Sequence, residues 1–461
     1  MQRNRLFPVL VGCVLSVLPA GGRVQVFAEY AGARELPVHS DVYQRIKSEV
    51  DKIRLIDTHE HLVTEKLWLT QKVDFFYWFS HYSSSDLVSA GMPEKDQDYL
   101  LDAGNSLDDR WKRMAPYWPL VKFTGYGQAL RIAARDLYGI EDINESTWRE
   151  LSAKISEARK PGYYDEVLQK RAGIDILIHD QVRDDPYLAA ERPKYFVRVK
   201  RLDNFISFKK EDLESFEKDY GVKVRSLGGL LAALDKAYEL LLAQGYIGIK
   251  SGLAYSRILR YDDTTREEAA LAFKNIISGN PSPAERKPFE DFMMHEIVCR
   301  AGEHDLPVQI HTGLQEGNGN IITNSRPTHL VNLFMKYPGT RFDIFHGSFP
   351  YMGELATLAK NFQNVYLNMC WMPVISPTAS RLWLRQWLET VPVNKIMAFG
   401  GDYLFVEGTY GHSVIARRVV TETLTEMVES GYLSEGEAVE VARRILRQNA
   451  IELFRLERFL K

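Results

Sequence analysis

Two histidines separated by one residue, His59 and His61, are the residues of this sequence best placed to bind a metal ion. They follow the apolar run 53–56, which predicts a buried β-strand. Side chains at positions i and i+2 of a strand point to the same face, so both imidazoles can reach one cation. The pair therefore predicts a metal site at the end of the first strand.

Four further candidate ligands stand at the ends of later apolar runs. Lys250, His311 and His346 each end such a run, and Asp402 follows one. Together with the first pair they form a nitrogen and oxygen set suited to a divalent metal, with zinc first and manganese or iron as alternatives. A water on such a metal has a pKa near ~7 and is a nucleophile at neutral pH. Asp402 is placed to accept its proton and to pass it to a leaving group.

The elements that must position these residues read as an α/β chain of alternating strands and helices. Segments 227–242 and 284–301 carry apolar residues at helical spacing. Eight strands predict a (β/α)₈ TIM barrel, in which all carboxyl ends of the strands meet at one mouth. The absence of GxGxxG after the first strand weakens the dinucleotide-binding alternative. The eight predicted strands lie near residues 53–58, 174–179, 195–201, 246–250, 307–311, 342–346, 364–369 and 395–400.

More than a hundred residues separate the first strand from the second. The stretch is rich in aromatic residues and has helical patterns at 128–138 and 146–158. A loop of that length without structure is uncommon, so we predict a helical insertion at about residues 62–170. An insertion after a barrel strand lies over the active-site face, where this one could cover a substrate.

Composition narrows the class of protein. A net charge of −3 over 461 residues gives no reason to expect a nucleic-acid partner.

The N-terminus resembles an export leader, with Arg3 and Arg5 before the apolar run 6–18. We predict a signal peptide at 1–28 and a barrel at 29–461 that is periplasmic or secreted; a start codon placed too early would instead leave the protein cytoplasmic. Beyond residue 30 no run reaches the ~20 apolar residues of a transmembrane helix, so no stable membrane span is expected.

The ordered strand-end residues resemble the amidohydrolase superfamily of metal-dependent barrel enzymes, from about residue 50 to the C-terminus. Within it the sequence is most similar to the amidohydrolase-related (amidohydrolase 2) group. Segment 250–255 with Arg257 looks like the branch that is also found fused to glutamine synthetase-like domains. The length and the helical insertion are similar to those of uronate isomerases, which are more distant members. The segments similar to the amidohydrolase-related group are 310–313, 345–347 and 399–402.

The resemblance implies that His59, His61, His311 and Asp402 are metal ligands. It makes His346 either a ligand of a second metal or the residue that polarises the substrate carbonyl. The sequence leaves open whether the site binds one metal ion or two.

Two roles of Lys250 are compatible with the sequence. In binuclear members of the superfamily a lysine at this place is carboxylated and bridges two metals. Alternatively it stays an ammonium that binds a substrate carboxylate. With Arg257 and Arg326, Lys250 would then suit a small carboxylated substrate.

The hypothesis from the sequence is a metal-dependent hydrolase that directs a metal-activated water at an amide, ester or lactone carbonyl, with Asp402 and His346 as catalytic residues. A decarboxylase and a uronate-type sugar-acid isomerase are alternatives on the same site, and a binding protein that lost its chemistry is an alternative of another class. The substrate and the oligomeric state, a homo-oligomer included, remain open.

Three other residues are expected to lie outside the chemistry. Cys370 has no partner at metal-ligand spacing and is expected to behave as a small buried hydrophobe. His179 is expected to hydrogen-bond to Asp180, and His81 is expected to be a surface or structural residue.

Overall fold

Eight parallel strands form one sheet in chain order in the computed structural model, which describes residues 40–460. Each strand pairs with the next one along the chain. The predicted barrel and all eight predicted strands are confirmed, whereas the predicted signal peptide lies outside the described residues. The strands are β1 (Leu55–Glu60), β2 (Ile174–Asp180), β3 (Phe196–Arg201), β4 (Gly248–Ser251), β5 (Val308–Ile310), β6 (Phe342–Ile344), β7 (Val365–Asn368) and β8 (Ile396–Met397).

The barrel is closed by the segment that follows β8. The amide of Thr58 donates to the carbonyl of Phe399 at 3.3 Å, and the amide of His61 donates to the carbonyl of Tyr403 at 3.1 Å. Between them the amide of Asp402 donates to the carbonyl of His59 at 2.8 Å. These backbone contacts place Asp402 directly beside the first two histidines.

Helices surround the barrel because alternate strand residues face outwards and are apolar. Ile249, Ile310 and Ile344 belong to the large core that the helices cover. Among the described residues no helix has both the length and the apolarity needed to cross a bilayer. The helical segments are Asp41–Lys52, Leu188–Glu191, Asp203–Ile206, Lys210–Asp212, Leu213–Tyr220, Leu227–Ala243, Leu253–Tyr255, Arg266–Ser278, Pro283–Glu303, Ile322–Ser325, Pro327–Leu330, Val331–Lys336, His346–Ser348, Met352–Asn361, Met372–Ile375, Pro377–Thr390, Val393–Lys395 and Val406–Glu429.

The long connection from β1 to β2 is a helical insertion with its own core. Trp78, Trp118 and Trp148 are buried in it. A buried ion pair between Arg110 and Asp74, 2.7 Å long, holds its first turns together. Most of its aromatic residues therefore serve packing. Its helical segments are Glu65–Thr70, Phe75–Phe79, Ser83–Ser89, Glu94–Leu101, Leu107–Met114, Trp118–Val121, Gly125–Tyr138, Trp148–Ala158 and Asp165–Arg171.

The C-terminal segment packs against the barrel in two ways. The sequence predicts that residues 435–453 lie on the exterior, and Glu435–Arg443 does pack on outer helices Asp41–Lys52 and Val406–Glu429. After the π-helical turn Arg444–Gln448, the helix Asn449–Phe454 and the final turn Leu456–Phe459 instead pack against inward-facing strand residues. The exterior prediction is wrong for this last part, because these residues complete a separate core.

This inner apolar cluster forms where the strands begin. A Cβ at Gly248 would lie 3.6 Å from the ring of Phe454, which places that ring on the same face of β4 as Lys250. The strand side of the cluster consists of Ile56, Ile176, Ile178, Val197, Val199, Ile247 and Met397, and the C-terminal side of Ala450, Ile451, Leu453, Phe454 and Leu456.

Candidate metal centre

The strand ends bring together the four histidines that the sequence singles out. His59 and His61 lie at the end of β1 with their ring centres 4.8 Å apart. His311 follows β5 and His346 follows β6, with ring centres 4.3 Å apart. All four lie at the carboxyl ends of the strands, where a barrel carries its functional residues.

Hydrogen bonds fix which nitrogen of the first pair is free. Nδ1 of His59 is 3.2 Å from the side-chain carbonyl oxygen of Gln309, and Nδ1 of His61 is 2.9 Å from the backbone carbonyl oxygen of Asp180. A carbonyl oxygen only accepts, so Nδ1 carries a hydrogen in each ring. Nε2 of His59 then keeps its lone pair, whereas Nε2 of His61 lies 3.0 Å from Oδ1 of Asp402. Nε2 of His59 is buried and has no hydrogen-bond partner among the described residues. Carbonyl-held imidazoles with a free second nitrogen are typical of metal ligands.

The second pair lacks a proton for one of its contacts. Nε2 of His311 is 2.9 Å from the carbonyl oxygen of Leu314, and Nδ1 of His346 is 3.0 Å from that of Cys370. Both nitrogens must therefore donate. Nδ1 of His311 and Nε2 of His346 then face each other at 2.9 Å with no hydrogen between them.

A third proton on this pair is unfavourable. Burial, and then the neighbouring His346, lowers the pKa of His311 well below its usual value, and burial lowers the pKa of His346 to about 3. A metal cation between the two lone pairs satisfies both nitrogens without an added proton.

Asp402 joins the two pairs. Its Oδ1 is 3.0 Å from Nε2 of His61 and 3.8 Å from Nε2 of His59. Its Oδ2 is 3.9 Å from Nδ1 of His346. Burial raises the pKa of Asp402, but the hydrogen bond from His61 and the nearby imidazoles outweigh burial and hold it well below the usual value. The donor set of nitrogens and an ionised carboxylate therefore fits a divalent metal.

Asp180, which ends β2, is a further candidate ligand that was not predicted from the sequence. Its Oδ2 lies 3.4 Å from Nε2 of His59 and accepts Nε and Nη2 of Arg201 at 2.8 and 2.7 Å. His59, His61 and Asp180 form one group whose donor atoms all lie within 4.8 Å of one another. In the neighbouring His179, Nε2 instead lies 2.7 Å from the carbonyl oxygen of Leu62, so the predicted hydrogen bond from His179 to Asp180 is wrong. The strand-end position of Asp180, shared with the other candidates, was the available signal.

Lys250 lies inside the barrel, buried above an aromatic ring. Its Nζ is 3.7 Å from the ring centre of Phe345. Burial, and then the charge of Arg201, lowers the pKa of Lys250 to about 8. Its role as metal bridge or substrate contact stays a prediction.

The other two predicted substrate contacts engage carboxylates of the chain itself. Arg257 donates to Glu290 at 2.7 Å and to Asp291 at 2.5 Å. Arg326 donates through Nε to both oxygens of Glu354 at 2.8 and 2.9 Å, and its side chain is 48% exposed. The structure brings neither guanidinium into the described contacts of the histidines, and their substrate role stays a prediction.

The insertion contributes Tyr82 to the site. Its hydroxyl is 2.6 Å from Oδ2 and 2.7 Å from the carbonyl oxygen of Asp402. The ring stacks on Trp371 at 4.4 Å and on Tyr126 at 5.1 Å. Burial, and then Asp402, raises the pKa of Tyr82 well above its usual value, so the phenol stays a donor. One tyrosine among many aromatic residues carried no signal in the sequence.

Three consecutive strand ends share an unusual backbone. His346 after β6, Trp371 after β7 and Asp402 after β8 have φ of 60°, 65° and 59°. Non-glycine residues rarely adopt this left-handed conformation, which costs of the order of 1 kcal/mol or more and concentrates at functional sites. The turn after β7 also places Cys370 near the site, so that donor atoms of His346, Cys370 and Asp402 lie within 4.8 Å of one another.

Comparison with known proteins agrees with this architecture. The family described as amidohydrolase matches residues 261–456. Protein fluG of Emericella nidulans is 24% identical over 70% of this chain, and the match spans 40% of the length of that protein. The uronate isomerase of Phenylobacterium zucineum is 24% identical over 91% of this chain and 93% of its own length.

Two solved structures show the same fold. The uronate isomerase from Thermotoga maritima has a TM-score of 0.74 at 18% identity, covering 90% of this chain and 98% of its own. The glucuronate isomerase from Caulobacter crescentus has a TM-score of 0.76 at 19% identity, covering 92% and 95%. At this identity the likeness establishes the barrel with its insertion and leaves the reaction open.

Proposed function

We propose that this chain, an amidohydrolase-related TIM barrel with a distant likeness to uronate isomerases, is a metal-dependent hydrolase of an amide, ester or lactone bond in a small carboxylated substrate. One observation carries the proposal: carbonyl oxygens orient four imidazoles at the strand ends. Nε2 of His61 and of His59 lie 3.0 and 3.8 Å from Oδ1 of Asp402, and the other two rings face each other with no hydrogen between them. Such an arrangement is costly for a barrel that binds no cation, because it leaves the buried Nε2 of His59 without a hydrogen-bond partner among the described residues.

The residues that would hold the metal are His59, His61, His311 and Asp402, with His346 completing the set. When bound, a divalent cation polarises a carbonyl and makes water acidic enough to attack at neutral pH. We propose zinc, since nitrogen ligands and one carboxylate suit it, with manganese or iron as alternatives.

Asp402 moves the proton in this proposal. Its pKa is held low, so it is ionised and able to accept a proton from the attacking water. It then gives that proton to the leaving nitrogen or oxygen as the bond between this atom and the carbonyl carbon breaks. Tyr82 donates to Oδ2 of Asp402 and fixes the orientation of the carboxylate.

His346 and Lys250 are the candidates for contact with the substrate. His346 lies beside Asp402 and keeps two alternative roles, either as a further metal ligand or as the group that polarises the substrate carbonyl. Lys250, with a pKa of about 8, is mostly an ammonium at pH 7. Arg201 is already paired with Asp180, so Lys250 rather than Arg201 is the cation offered to a carboxylate of the substrate.

Uronate isomerisation is the second candidate. It is favoured by relatives with that name that match about nine-tenths of this chain and of their own length. In this chain Asp402 and Tyr82 form a close acid and base pair, as a proton transfer between neighbouring carbons requires.

The first experiment separates the two reactions. The metal content of purified protein is measured, and turnover is then assayed on N-acyl amino acids, lactones and D-glucuronate. Hydrolysis in H₂¹⁸O places ¹⁸O in the carboxylate product, whereas isomerisation of glucuronate gives a ketose without ¹⁸O in the carboxylate. Glucuronate isomerisation alone would replace the hydrolase by the second candidate, and purified protein that neither holds nor needs a metal would overturn both.

Substitution tests the role of Asp402. Asp402→Asn keeps the volume and removes the base, so turnover should fall on the order of 10²–10⁴-fold while circular dichroism stays unchanged. Tyr138→Phe is the control, because it removes a hydroxyl that donates to another buried carboxylate, Glu407, at 2.8 Å and leaves Asp402 unchanged. Asp402→Asn with near-normal turnover would contradict the mechanism.

A further inference from the structure

We propose that Cys370 is a metal ligand of this site, donating a thiolate beside His346 and Asp402. The inference rests on the proposed metal dependence and adds to it a sulfur ligand on β7. A thiolate favours zinc and cobalt over manganese and magnesium, so Cys370 would select the metal as well as hold it.

The turn after β7 is shaped to bring Cys370 to the site. The amide of Cys370 donates to Oδ1 of Asn368 at 2.9 Å, and the amide of Trp371 donates to the carbonyl of Gly400 at 3.0 Å. These contacts tie the turn to the segment that leads into Asp402.

The donor atoms are close enough for one ion. An imidazole nitrogen of His346, Sγ of Cys370 and a carboxylate oxygen of Asp402 lie within 4.8 Å of one another. The point equidistant from three such atoms is at most about 2.8 Å from each, and bonds of about 2.0–2.3 Å to zinc require side-chain shifts near half an ångström. Nδ1 of His346 donates to the carbonyl of Cys370, so this ring would bind the ion through Nε2, and Nδ1 of His311, 2.9 Å from Nε2, would add a further nitrogen.

The Asp402 carboxylate faces two donor groups rather than one. Oδ1 is nearest to Nε2 of His61, while Oδ2 is the oxygen nearest to His346. The unpartnered, fully buried Nε2 of His59 lies 3.8 Å from the same carboxylate. His346, and with it Cys370, thus approaches the carboxylate from a different direction than His61 does, and Oδ2 also accepts the hydroxyl of Tyr82.

The space around the thiol is closed. Cys370 has no exposed surface, and a Cβ at Gly400 would lie 2.9 Å from Sγ. A glycine at position 400 thus leaves the room that the thiol occupies. Burial raises the pKa of Cys370 well above its usual value, so the thiol is neutral without a cation and releases one proton when a metal binds.

The other described cysteine supplies a matched control. Cys299 lies on the helix Pro283–Glu303, partly exposed, with Sγ 3.6 Å from a carboxylate oxygen of Glu303. It belongs to none of the donor groups of the described residues. Replacement of Cys299 removes a thiol without touching the site.

X-ray absorption of the zinc-loaded full-length protein tests the inference. Wild type and the Cys13→Ser/Cys299→Ser variant should both show a sulfur scatterer at about 2.3 Å from zinc besides nitrogen and oxygen at about 2.0–2.1 Å. Cys370→Ser should lose the sulfur scatterer and keep the lighter atoms. In competition, the zinc-over-manganese preference should fall at least tenfold in Cys370→Ser.

The outcomes separate this inference from the proposed function. Zinc held by nitrogen and oxygen alone in the wild type would overturn the cysteine ligand and leave the metal-dependent enzyme standing. Protein that binds no zinc would overturn both. If Cys370→Ser fails to fold, the Cys13→Ser/Cys299→Ser variant still decides the question, because Cys370 is then its sole thiol.

Discussion

At the carboxyl ends of the strands the barrel buries imidazoles, carboxylates and left-handed residues, whereas at the amino ends it buries the inner apolar cluster. The first region leaves polar atoms such as Nε2 of His59 without partners, and the second closes on the ring of Phe454. Unsatisfied polar atoms and backbone strain cost stability, while apolar burial supplies it. The contrast teaches that the carboxyl ends form the site at a cost in stability, and that apolar burial at the amino ends offsets this cost.

The largest effect should follow from the loss of one imidazole at the carboxyl ends. His59→Ala removes a free buried nitrogen, so metal content should fall to near zero and turnover on the order of 10³-fold or more. His329→Ala, an exposed histidine on the carbonyl of Thr323, should retain metal and activity. Full metal occupancy in His59→Ala, measured by elemental analysis, would contradict the assignment of metal binding to the carboxyl ends of the strands.

The next effect concerns the opposite end. Phe454→Ala empties part of the inner apolar cluster and should lower the free energy of unfolding by about 3–5 kcal/mol. Metal content per folded protein should not change, because the ring touches no candidate ligand in the described contacts. Leu271→Ala, at a side chain that is 63% exposed, is the control for denaturant titration. Loss of metal with unchanged stability would contradict the assignment of roles.

A smaller effect tests how the imidazoles are oriented. Gln309→Met removes the acceptor of the Nδ1 hydrogen of His59, and metal affinity should fall about 10–100-fold. Asn364→Leu removes another buried amide, which donates to Phe334 and Tyr337 carbonyls away from the histidines. That variant should lose stability but bind metal normally. Equal metal affinities of the two variants, by competition with a chelator, would refute orientation by Gln309.

The smallest effect separates the site from the surface beside it. Arg326 pairs with Glu354 and is half exposed, so Arg326→Ala should leave the denaturation midpoint unchanged, because exposed ion pairs contribute little to stability. The structure gives it no contact with the histidines, and KM should stay unchanged. A tenfold rise in KM would restore the role that the sequence predicts for this arginine and extend the functional region beyond the strand ends.

The fold was predictable because each strand is an apolar run with a polar residue at its end. His59, His311 and His346 could be placed at one mouth from that pattern alone, since parallel barrel strands share one direction. The insertion was predictable from its length, because a loop of a hundred residues without structure is rare.

The missed residues depend on contacts that no local pattern encodes. Tyr82 reaches Asp402 from a turn more than three hundred positions earlier in the chain, and its own neighbours are aromatic residues that serve packing. Two polar residues, His179 and Asp180, end β2 side by side, so the strand-end pattern does not show which of them belongs to the site. Alternation along β2 decides which of the two faces inwards. Cys370 has no cysteine or histidine at ligand spacing, and only the turn after β7 brings its thiol near His346.

The position of the helix Asn449–Phe454 has a consequence for the order in which the barrel can fold. This helix and the turn Leu456–Phe459 supply one side of the inner apolar cluster, whereas the strand residues on its other side begin at Ile56. Contacts between segments so far apart in sequence are slow to form, because the long intervening chain must be ordered to bring them together. A partly folded chain in which this segment has not docked therefore exposes the inward-facing isoleucines and valines of the first three strands, and such surface favours aggregation.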